Sequence, residues 1–351
     1  MAEEILVLRL SSLGDVVLAS SFLRSCREHF PSAHVTFVVR DDLAELAAAL
    51  PGVERVVAVP RRLGIAALLR LGAELARRPY AHVFDLHHGM RSRLLVRGLG
   101  ARRRDGFGKQ ALPRWVLVHL HRDIYGRYGG SRPLRARMLE PLRGLGLHPQ
   151  LHDTQIVVPA AARQRAEALL RAAGVRAGEL LIGVAPGARW PSKCWPAERY
   201  AALLRRLAES TDLRFLLVGG AAERPLAFIT ALGAPERCLD LSGQIDVLET
   251  AAILERCAAL LGNDSGLLHV AEAVGRPVLA FFGPTAPEFG YAPYRAASRL
   301  LRQPPPCSPC SKNGSRPCSR PTHECMENIS VEAAYTAAGA LLEDVRRLQS
   351  S

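Results

Sequence analysis

Long hydrophobic runs are missing from this sequence, and aromatic residues are scarce. No segment approaches the roughly 20 consecutive apolar residues that a membrane-spanning helix requires. The first apolar segment is interrupted by Arg9 and Asp15, which a secretory signal peptide does not tolerate. We therefore expect a cytoplasmic protein. Its 351 residues, 48% of them hydrophobic, are enough for two domains with separate cores.

Acidic residues are the minority, since 33 Asp and Glu stand against 46 Lys and Arg, for a formal net charge of +13. Such a surface suits nucleic acid, an anionic membrane leaflet or a phosphorylated substrate, and it is equally compatible with ordinary solvated arginines. Aromatic content of 6%, the lack of a groove-reading motif and the scatter of the cations argue against nucleic acid. The arginines are densest between Arg91 and Arg143, and include Arg102, Arg103, Arg104, Arg114, Arg132, Arg135 and Arg137.

Short apolar runs alternate with amphipathic segments, which is typical of parallel sheets covered by helices. The pattern predicts two consecutive doubly wound α/β domains, 1–174 and 175–329, followed by a helix in 330–351 capped by Ser330. Ligands in such domains bind at the carboxyl ends of the strands. The predicted strands are 5–8, 35–39, 53–59, 82–86, 180–184, 215–218, 258–261 and 278–282, and the predicted helices include 16–28, 43–50, 65–77 and 160–173.

The segment Asn263-Asp264-Ser265-Gly266 lies where a predicted buried strand turns into a helix. Free N–H groups and the positive end of the helix dipole make such a turn suitable for a diphosphate. His269 lies one turn further along the same helix face as Ser265. The alternative is that Asp264 or Ser265 only caps the helix and that His269 is a core residue.

Two further loops follow predicted strands. Asp15 ends the segment Ser11-Ser12-Leu13-Gly14-Asp15, where a carboxylate either complements the helix dipole or takes a proton from an incoming hydroxyl. Lys193 lies in the loop from Pro186 to Pro196, a reasonable phosphate cradle whose tryptophans, Trp190 and Trp195, are more often packing residues. Neither loop has the glycine spacing of a dinucleotide fingerprint or of a Walker A motif.

In this order, these motifs resemble those of the ADP-heptose:lipopolysaccharide heptosyltransferases and the wider glycosyltransferase family 9. The resemblance spans Ile5 to about Phe289, while residues 89–152, the region expected to meet the acceptor, add little to it. The segments that carry it are Leu10 to Val17, Pro186 to Pro196, Asn263 to Gly266 with His269, and Gly283-Pro284-Thr285.

The resemblance implies a GT-B fold with two facing Rossmann-like domains, and an inverting transfer that needs neither metal nor cofactor. It also implies that the helix in 330–351 packs back on the first domain. Heptose would pass from ADP-L-glycero-β-D-manno-heptose to the Kdo or heptose of the lipopolysaccharide inner core. Asp15 would deprotonate the acceptor hydroxyl, and Lys193 would neutralise the leaving diphosphate. Ser12 would add a hydrogen bond as a further donor-binding residue. Arginines of the first domain would suit Kdo carboxylates and lipid A phosphates, and would hold the enzyme peripherally at the inner leaflet. The other donor-binding residues would be Asp264 for the heptose hydroxyls, and Ser265, Gly266 and His269 for the phosphates.

Two rival functions remain open from the sequence. One is a GT-B transferase that uses another nucleotide sugar to build a different surface glycan. The other is a non-catalytic protein that binds RNA or another anion, for which Asp15 and Asp264 would be unfavourable because carboxylates repel phosphates.

Four of the eight cysteines lie close together in a proline-rich loop, at Cys307, Cys310, Cys318 and Cys325. A C-x-x-C pair with two further cysteines is compatible with a structural zinc site, with an iron–sulfur cluster or with free thiols. His323 could replace one ligand. In a cytoplasmic protein any of these is favoured over disulfides.

Overall fold

The computed structural model describes residues 3–99, 103–210, 212–221 and 235–350, so Arg102 of the predicted basic stretch lies outside the described residues. The chain divides into two compact units. Unit 1 comprises Met1–Lys109 and Arg132–Val157, and unit 2 comprises Gln110–Ser131 and Val158–Ser351.

Unit 1 contains a parallel sheet with the strand order β3-β2-β1-β4-β5. The first strand is central, and its apolar side chains are fully buried because helices cover both faces of such a sheet. The strands are β1 (Glu4–Leu8), β2 (His34–Arg40), β3 (Arg55–Val59), β4 (Tyr80–Asp85) and β5 (Arg103–Gly106). The helices are α1 (Leu13–His29), α2 (Ala44–Ala48), α3 (Ile65–Leu75), α4 (Met90–Val96), α6 (Leu134–Arg137) and α7 (Glu140–Gly144).

Unit 2 contains a second parallel sheet with the order β11-β10-β9-β6-β7-β8. Its strands are β6 (Leu180–Ala185), β7 (Leu213–Leu217), β8 (Cys238–Asp240), β9 (Ala259–Asn263), β10 (Val278–Phe282) and β11 (Arg299–Arg302). Its helices are α5 (Ala111–Leu120), α8 (Ala160–Ala172), α9 (Ala197–Ser210), α10 (Val247–Arg256), α11 (Gly266–Ala273), α12 (Glu324–Glu327) and α13 (Val331–Ser350). Two parallel sheets flanked by helices confirm the predicted α/β class, and each sheet has the doubly wound order of a Rossmann-like unit.

An aromatic cluster anchors the core of unit 2. The Trp195 ring stacks on Phe281 with centroids 4.5 Å apart and meets Tyr200 edge-on. The indole N–H of Trp195 donates to the carbonyl oxygen of Ile329 at 3.0 Å, so this buried ring has no unsatisfied polar group. Trp195 is therefore a packing residue, as its loop position suggested.

The unit boundaries differ from the predicted domain boundary at 174/175. Helix α8 belongs to unit 2 because it packs on α10, where Arg163 pairs with Glu255 at 2.7 Å and Arg165 pairs with Glu249 at 2.6 Å. Residues 110–131 also belong to unit 2, because Leu117, Val118 and Tyr125 pack against Ala286 and Phe289.

The C-terminal helix α13 belongs to unit 2. The apolar face of α13 packs on α9 and on strands β9, β10 and β11 of unit 2. The Arg206 guanidinium lies 4.1 Å from the ring centroid of Tyr335, and Arg206 also pairs with Glu332. The predicted cap is confirmed, since the Ser330 hydroxyl accepts a hydrogen bond from Ala333 N at 3.1 Å.

Within the described ranges, no helix combines the length and the apolar character needed to cross a bilayer.

Candidate functional site

Asp15 lies in the first turn of α1, directly after the loop that leaves the central strand of unit 1. One carboxylate oxygen, Oδ2, accepts hydrogen bonds from the backbone N and the hydroxyl of Ser12, both at 2.8 Å. The other, Oδ1, lies 2.6 Å from a guanidinium nitrogen of Arg9. The carboxylate is thus fixed from two sides, by Ser12 and by Arg9.

Arg9 links this carboxylate to the neighbouring strand. Its Nη2 pairs with Asp15, and its Nη1 donates to the carbonyl oxygen of Leu86, which directly follows β4. Both Arg9 and Asp15 are less than a tenth exposed. In the sequence alone, Arg9 stands out only as a charge that interrupts the first apolar segment. Arg9 directly follows a predicted buried strand and lies six residues before Asp15, and this position was the signal that it could pair with that carboxylate.

The electrostatic surroundings keep Asp15 ionised. Burial is the largest single influence and acts to raise the pKa of Asp15. The Arg9 charge and the hydrogen bonds from Arg9 and Ser12 outweigh it, and the pKa falls to about 2. At neutral pH the side chain is therefore a buried carboxylate with its oxygens held in place.

A second polar turn follows β4, beside the end of β1. The Asp85 carboxylate accepts hydrogen bonds from His87 N at 3.0 Å, from His88 N at 2.7 Å and from the Ser92 hydroxyl at 2.8 Å. Burial, followed by the charges of Arg9 and Lys109, lowers the pKa of His87 to about 4, so its imidazole is neutral at neutral pH. The motifs of the sequence did not point to this turn.

In unit 2, Lys193 and Asp264 meet. Lys193 Nζ lies 2.7 Å from Asp264 Oδ2 and 3.2 Å from the Asp264 carbonyl oxygen. The Thr285 hydroxyl donates to the same Oδ2 at 2.6 Å. Lys193 leaves the loop after β6, Asp264 follows β9 and Thr285 follows β10, so three neighbouring strand ends converge. The structure therefore brings two residues predicted to bind the donor into direct contact.

Asn263 is fully buried and ties these loops together. Its Oδ1 accepts hydrogen bonds from Trp195 N and from the Tyr200 hydroxyl, each at 3.0 Å. Its Nδ2 donates to the Pro186 carbonyl oxygen at 2.7 Å. The first residue of the Asn-Asp-Ser-Gly segment thus fixes the shape of the Lys193 loop.

The segment does not cap α11 through its side chains. Ser265 is the N-cap residue of α11, but its hydroxyl makes no hydrogen bond with any described residue, and Asp264 is engaged by Lys193 and Thr285. Gly266 begins the helix, and its amide belongs to the first turn, where backbone donors have no partner within the helix. His269 is buried one turn further on, with its ring centroid 6.2 Å from that of Tyr291.

The cysteine-rich loop lies against the Lys193 side chain. The Ser192 hydroxyl donates to the Gly314 carbonyl oxygen at 2.6 Å. A Cβ added to Gly314, whose φ is +84°, would come within 2.8 Å of Lys193 Cε. The amides of Cys310 and Ser311 both donate to the Pro284 carbonyl oxygen, next to Thr285. This loop therefore packs against the segments that carry Lys193 and Thr285 and helps to hold their contacts with Asp264. The sequence did not reveal this role.

The thiols in this loop are free. Burial and the neighbouring cysteines raise the pKa of Cys325 to about 11, so it is a neutral thiol. In the part of the chain that the structure describes, no group of three or more His, Cys, Asp or Glu side chains is placed to hold a metal ion. The geometry gives the metal interpretation of Cys307, Cys310, Cys318 and Cys325 no support.

Comparison with known proteins relates this chain to one family. The family model described as glycosyltransferase family 9 (heptosyltransferase) matches residues 68–318. The chain is 26% identical to lipooligosaccharide heptosyltransferase 2 of Haemophilus influenzae over 299 residues, which cover 81% of this chain and 84% of that protein. It is 28% identical to lipopolysaccharide heptosyltransferase 1 of Pseudomonas aeruginosa over 334 residues, 91% of this chain and 89% of that protein.

Solved structures agree on the fold. A family 9 glycosyltransferase of Veillonella parvula superposes with a TM-score of 0.80 at 24% identity, covering 97% of both chains. An Escherichia coli heptosyltransferase solved with ADP superposes with a TM-score of 0.70 at 20% identity, covering 96% of this chain and 99% of that one. With the family match spanning most of its length, the chain belongs to glycosyltransferase family 9, the heptosyltransferases, and is a glycosyltransferase.

Proposed function

We propose that this enzyme transfers heptose from ADP-L-glycero-β-D-manno-heptose to a Kdo or heptose hydroxyl of the lipopolysaccharide inner core, with inversion at the anomeric carbon. Relatives named as lipopolysaccharide and lipooligosaccharide heptosyltransferases support this class of acceptor. The observation that carries the proposal is the buried, ionised carboxylate of Asp15, held by Arg9 and Ser12 at the carboxyl end of the central strand.

In the proposed reaction the acceptor oxygen forms a bond to the anomeric carbon while the bond from that carbon to the diphosphate breaks. The acceptor proton passes to Asp15, and ADP leaves. A pKa of about 2 makes Asp15 a weak base, so we expect the proton to move late, when bond formation has made the hydroxyl acidic.

Unit 2 supplies the groups for the donor. Negative charge grows on the diphosphate as ADP departs, and fixed donors aimed at it stabilise the transition state without reorganising. We assign this role to the Ser265 and Gly266 amides at the start of α11 and to His269. Lys193, on a flexible stem, would bring a cation to the leaving diphosphate and neutralise it. The Ser265 hydroxyl, which has no protein partner among the described residues, would donate to a phosphate oxygen.

Asp264 would bind the heptose hydroxyls. Its Oδ2 is already shared by Lys193 and Thr285, which leaves Oδ1 to accept hydrogen bonds from sugar hydroxyls. Because Lys193 supplies a cation where the leaving charge develops, the transfer is expected to proceed without a metal ion. The arginines of unit 1 would contact the carboxylates and phosphates of the acceptor, and would favour peripheral contact with an anionic leaflet.

The decisive experiment compares nucleotide sugars on a deacylated inner-core acceptor, with ADP release and product mass as readouts and a chelator in a parallel reaction. We expect a heptose-sized mass gain from ADP-heptose alone, unaffected by the chelator and abolished in Asp15→Asn. Transfer from a different nucleotide sugar would assign the enzyme to another surface glycan. Undiminished transfer by Asp15→Asn would remove Asp15 from the mechanism.

A further inference from the structure

Helix α5 has an unusual distribution of apolar residues. Its inner face, with Pro113, Leu117 and Val118, is buried, and the two residues Leu117 and Val118 pack with Ala286 and Phe289 of unit 2. Its outer face is also apolar. The outer side chains, which follow one another at i, i+3 and i+4 spacing around the helix, are Ala111, Leu112, Trp115, Val116 and Leu120, with His119 among them.

The outer side chains are open to solvent. Leu112 is 53% exposed, Trp115 is 51% exposed and Leu120 is 55% exposed. A surface helix of a globular protein normally turns charged or polar side chains outward. A helix that is apolar on both faces is expected where its outer face has a second, non-aqueous environment, such as the interior of a protein or the interface of a lipid bilayer.

The charges beside α5 indicate which environment this is. Arg122 and Arg127 are exposed immediately after the helix, and Arg114 is partly exposed within it. Among the described residues, none of these three guanidinium groups forms an ion pair. The single carboxylate of the segment, Asp123, accepts the backbone N–H of Tyr125 at 2.8 Å. Uncompensated arginines beside exposed leucine and tryptophan complement an anionic lipid surface, where the cations meet headgroups and the apolar side chains enter the boundary with the acyl chains.

Trp115 has a position that suits this boundary. Its ring stacks on His119 with centroids 4.8 Å apart, which holds the indole along the helix rather than free in solvent. Amphipathic rings of this kind concentrate at the membrane–water interface.

We propose that the outer face of α5, with Leu112, Trp115 and Leu120 flanked by Arg122 and Arg127, docks on an anionic lipid surface. This inference rests on the proposed function, in which the acceptor is carried by a lipid. It assigns the membrane contact to α5 of unit 2 and not to the arginines of unit 1. Docking would bring the enzyme to a two-dimensional pool of acceptor without inserting a spanning helix.

The experiment uses the full chain and vesicles of phosphatidylethanolamine with phosphatidylglycerol, compared with vesicles of phosphatidylcholine. We expect cosedimentation with the anionic vesicles that weakens as salt rises, and quenching of Trp115 fluorescence by brominated lipid that is lost in Trp115→Phe. The triple variant Leu112→Ser, Trp115→Ser, Leu120→Ser should lose at least about tenfold in vesicle affinity, since three half-exposed apolar side chains no longer enter the boundary. Leu348→Ser, at another exposed apolar position, should bind like the wild type.

Transfer assays separate this proposal from the proposed function. The triple variant should lose more rate on acceptor embedded in vesicles than on a deacylated, soluble acceptor, where no lipid surface is present. If no acceptor is glycosylated, the proposed function fails while vesicle binding still tests the docking surface. Equal binding of wild type and triple variant to anionic vesicles would overturn the docking proposal. So would a wild-type dimer, seen by light scattering, that the triple variant converts to a monomer without any vesicle binding.

Discussion

Replacing Arg9 by glutamine is expected to move the pH dependence of transfer. In the wild type the pKa of Asp15 is depressed from 3.8 to about 2, a difference worth roughly 2 kcal/mol in favour of the ionised form. Arg9 supplies the leading favourable contributions to this shift, whereas burial opposes it. In Arg9→Gln the burial of Asp15 remains and the charge that offsets it is gone, so the pKa of Asp15 should rise.

The direction follows from the role proposed for Asp15. A base must be ionised to accept a proton, and it loses that form as the pH falls through its pKa. In the wild type this loss lies near pH 2, below any practical assay, so Asp15 does not limit the acid side of the kcat/KM profile. In Arg9→Gln burial is no longer offset by a charge, so the acid limb should shift upward by about three pH units, and a fall in rate between pH 7 and pH 5 should become measurable.

Stability should change in the same variant. A depressed pKa contributes stability that is present above the unfolded value near 3.8 and is lost as the pH falls toward 2. Removing Arg9 abolishes that contribution at neutral pH and leaves a buried carboxylate without its cation, so a cost of roughly 3 kcal/mol is expected. Thermal melts at pH 7 establish whether the variant is folded before its kinetics are compared.

Two control variants make the result specific. Arg9→Lys keeps a positive charge near Asp15 and should show a smaller shift of the acid limb. Arg27→Gln removes an arginine of α1, the helix that also carries Asp15. Arg27 pairs with Glu54 at the surface, so the pH profile of this variant should superimpose on that of the wild type. An unshifted acid limb in folded Arg9→Gln, or an equal shift in Arg27→Gln, would refute the reasoning.

Two further variants test the donor side. Lys193→Met should lower kcat by about 10²- to 10³-fold with a smaller effect on KM for ADP-heptose, because the cation acts mainly on charge that develops in the transition state. The exposed Lys312→Met is its control, and a kcat for Lys193→Met within threefold of the wild type would exclude this role. Gly314→Ala should destabilise the protein by roughly 1–3 kcal/mol and raise KM for the donor, since the new Cβ would lie 2.8 Å from Lys193 Cε at a φ of +84°. Gly178→Ala, at a φ of +80° with nothing within 4 Å, carries the same backbone strain without the contact, so equal donor KM values in the two variants would contradict the proposed support of Lys193.

The fold could be predicted from the sequence where strands are buried on both faces. β1, β9 and β10 read as continuous apolar runs, and the structure places them inside their sheets. The edge strands β8 and β11 were missed because their residues are only partly buried and their sequences include charged side chains. The sequence could not show which unit α8 joins, because α8 shares its amphipathic pattern with other helices and its ion pairs with α10 form only in the folded chain.

The candidate site divides in a similar way. Motifs within a few residues of one another, such as Ser12 with Asp15, could be predicted to interact because helix geometry sets their spacing. Contacts between distant segments could not. Arg9 donates to the carbonyl oxygen of Leu86, 77 residues further along the chain. Ser192, next to Lys193, donates to the carbonyl oxygen of Gly314, 122 residues further along. A backbone carbonyl leaves no signature in a sequence, so these supports emerge only from the folded chain.

The two units use the same arrangement with one chemical difference. In each, a carboxylate after a strand is shared by a cation and a hydroxyl: Asp15 by Arg9 and Ser12, and Asp264 by Lys193 and Thr285. Arg9 is also anchored to the Leu86 carbonyl oxygen through its rigid guanidinium, so we expect its charge to stay with Asp15 during the proposed transfer. Lys193 carries a compact ammonium on a flexible stem, and we expect it to turn from Asp264 toward a departing diphosphate. The choice of arginine in one unit and lysine in the other therefore matches a fixed base in the first and a mobile counter-charge in the second.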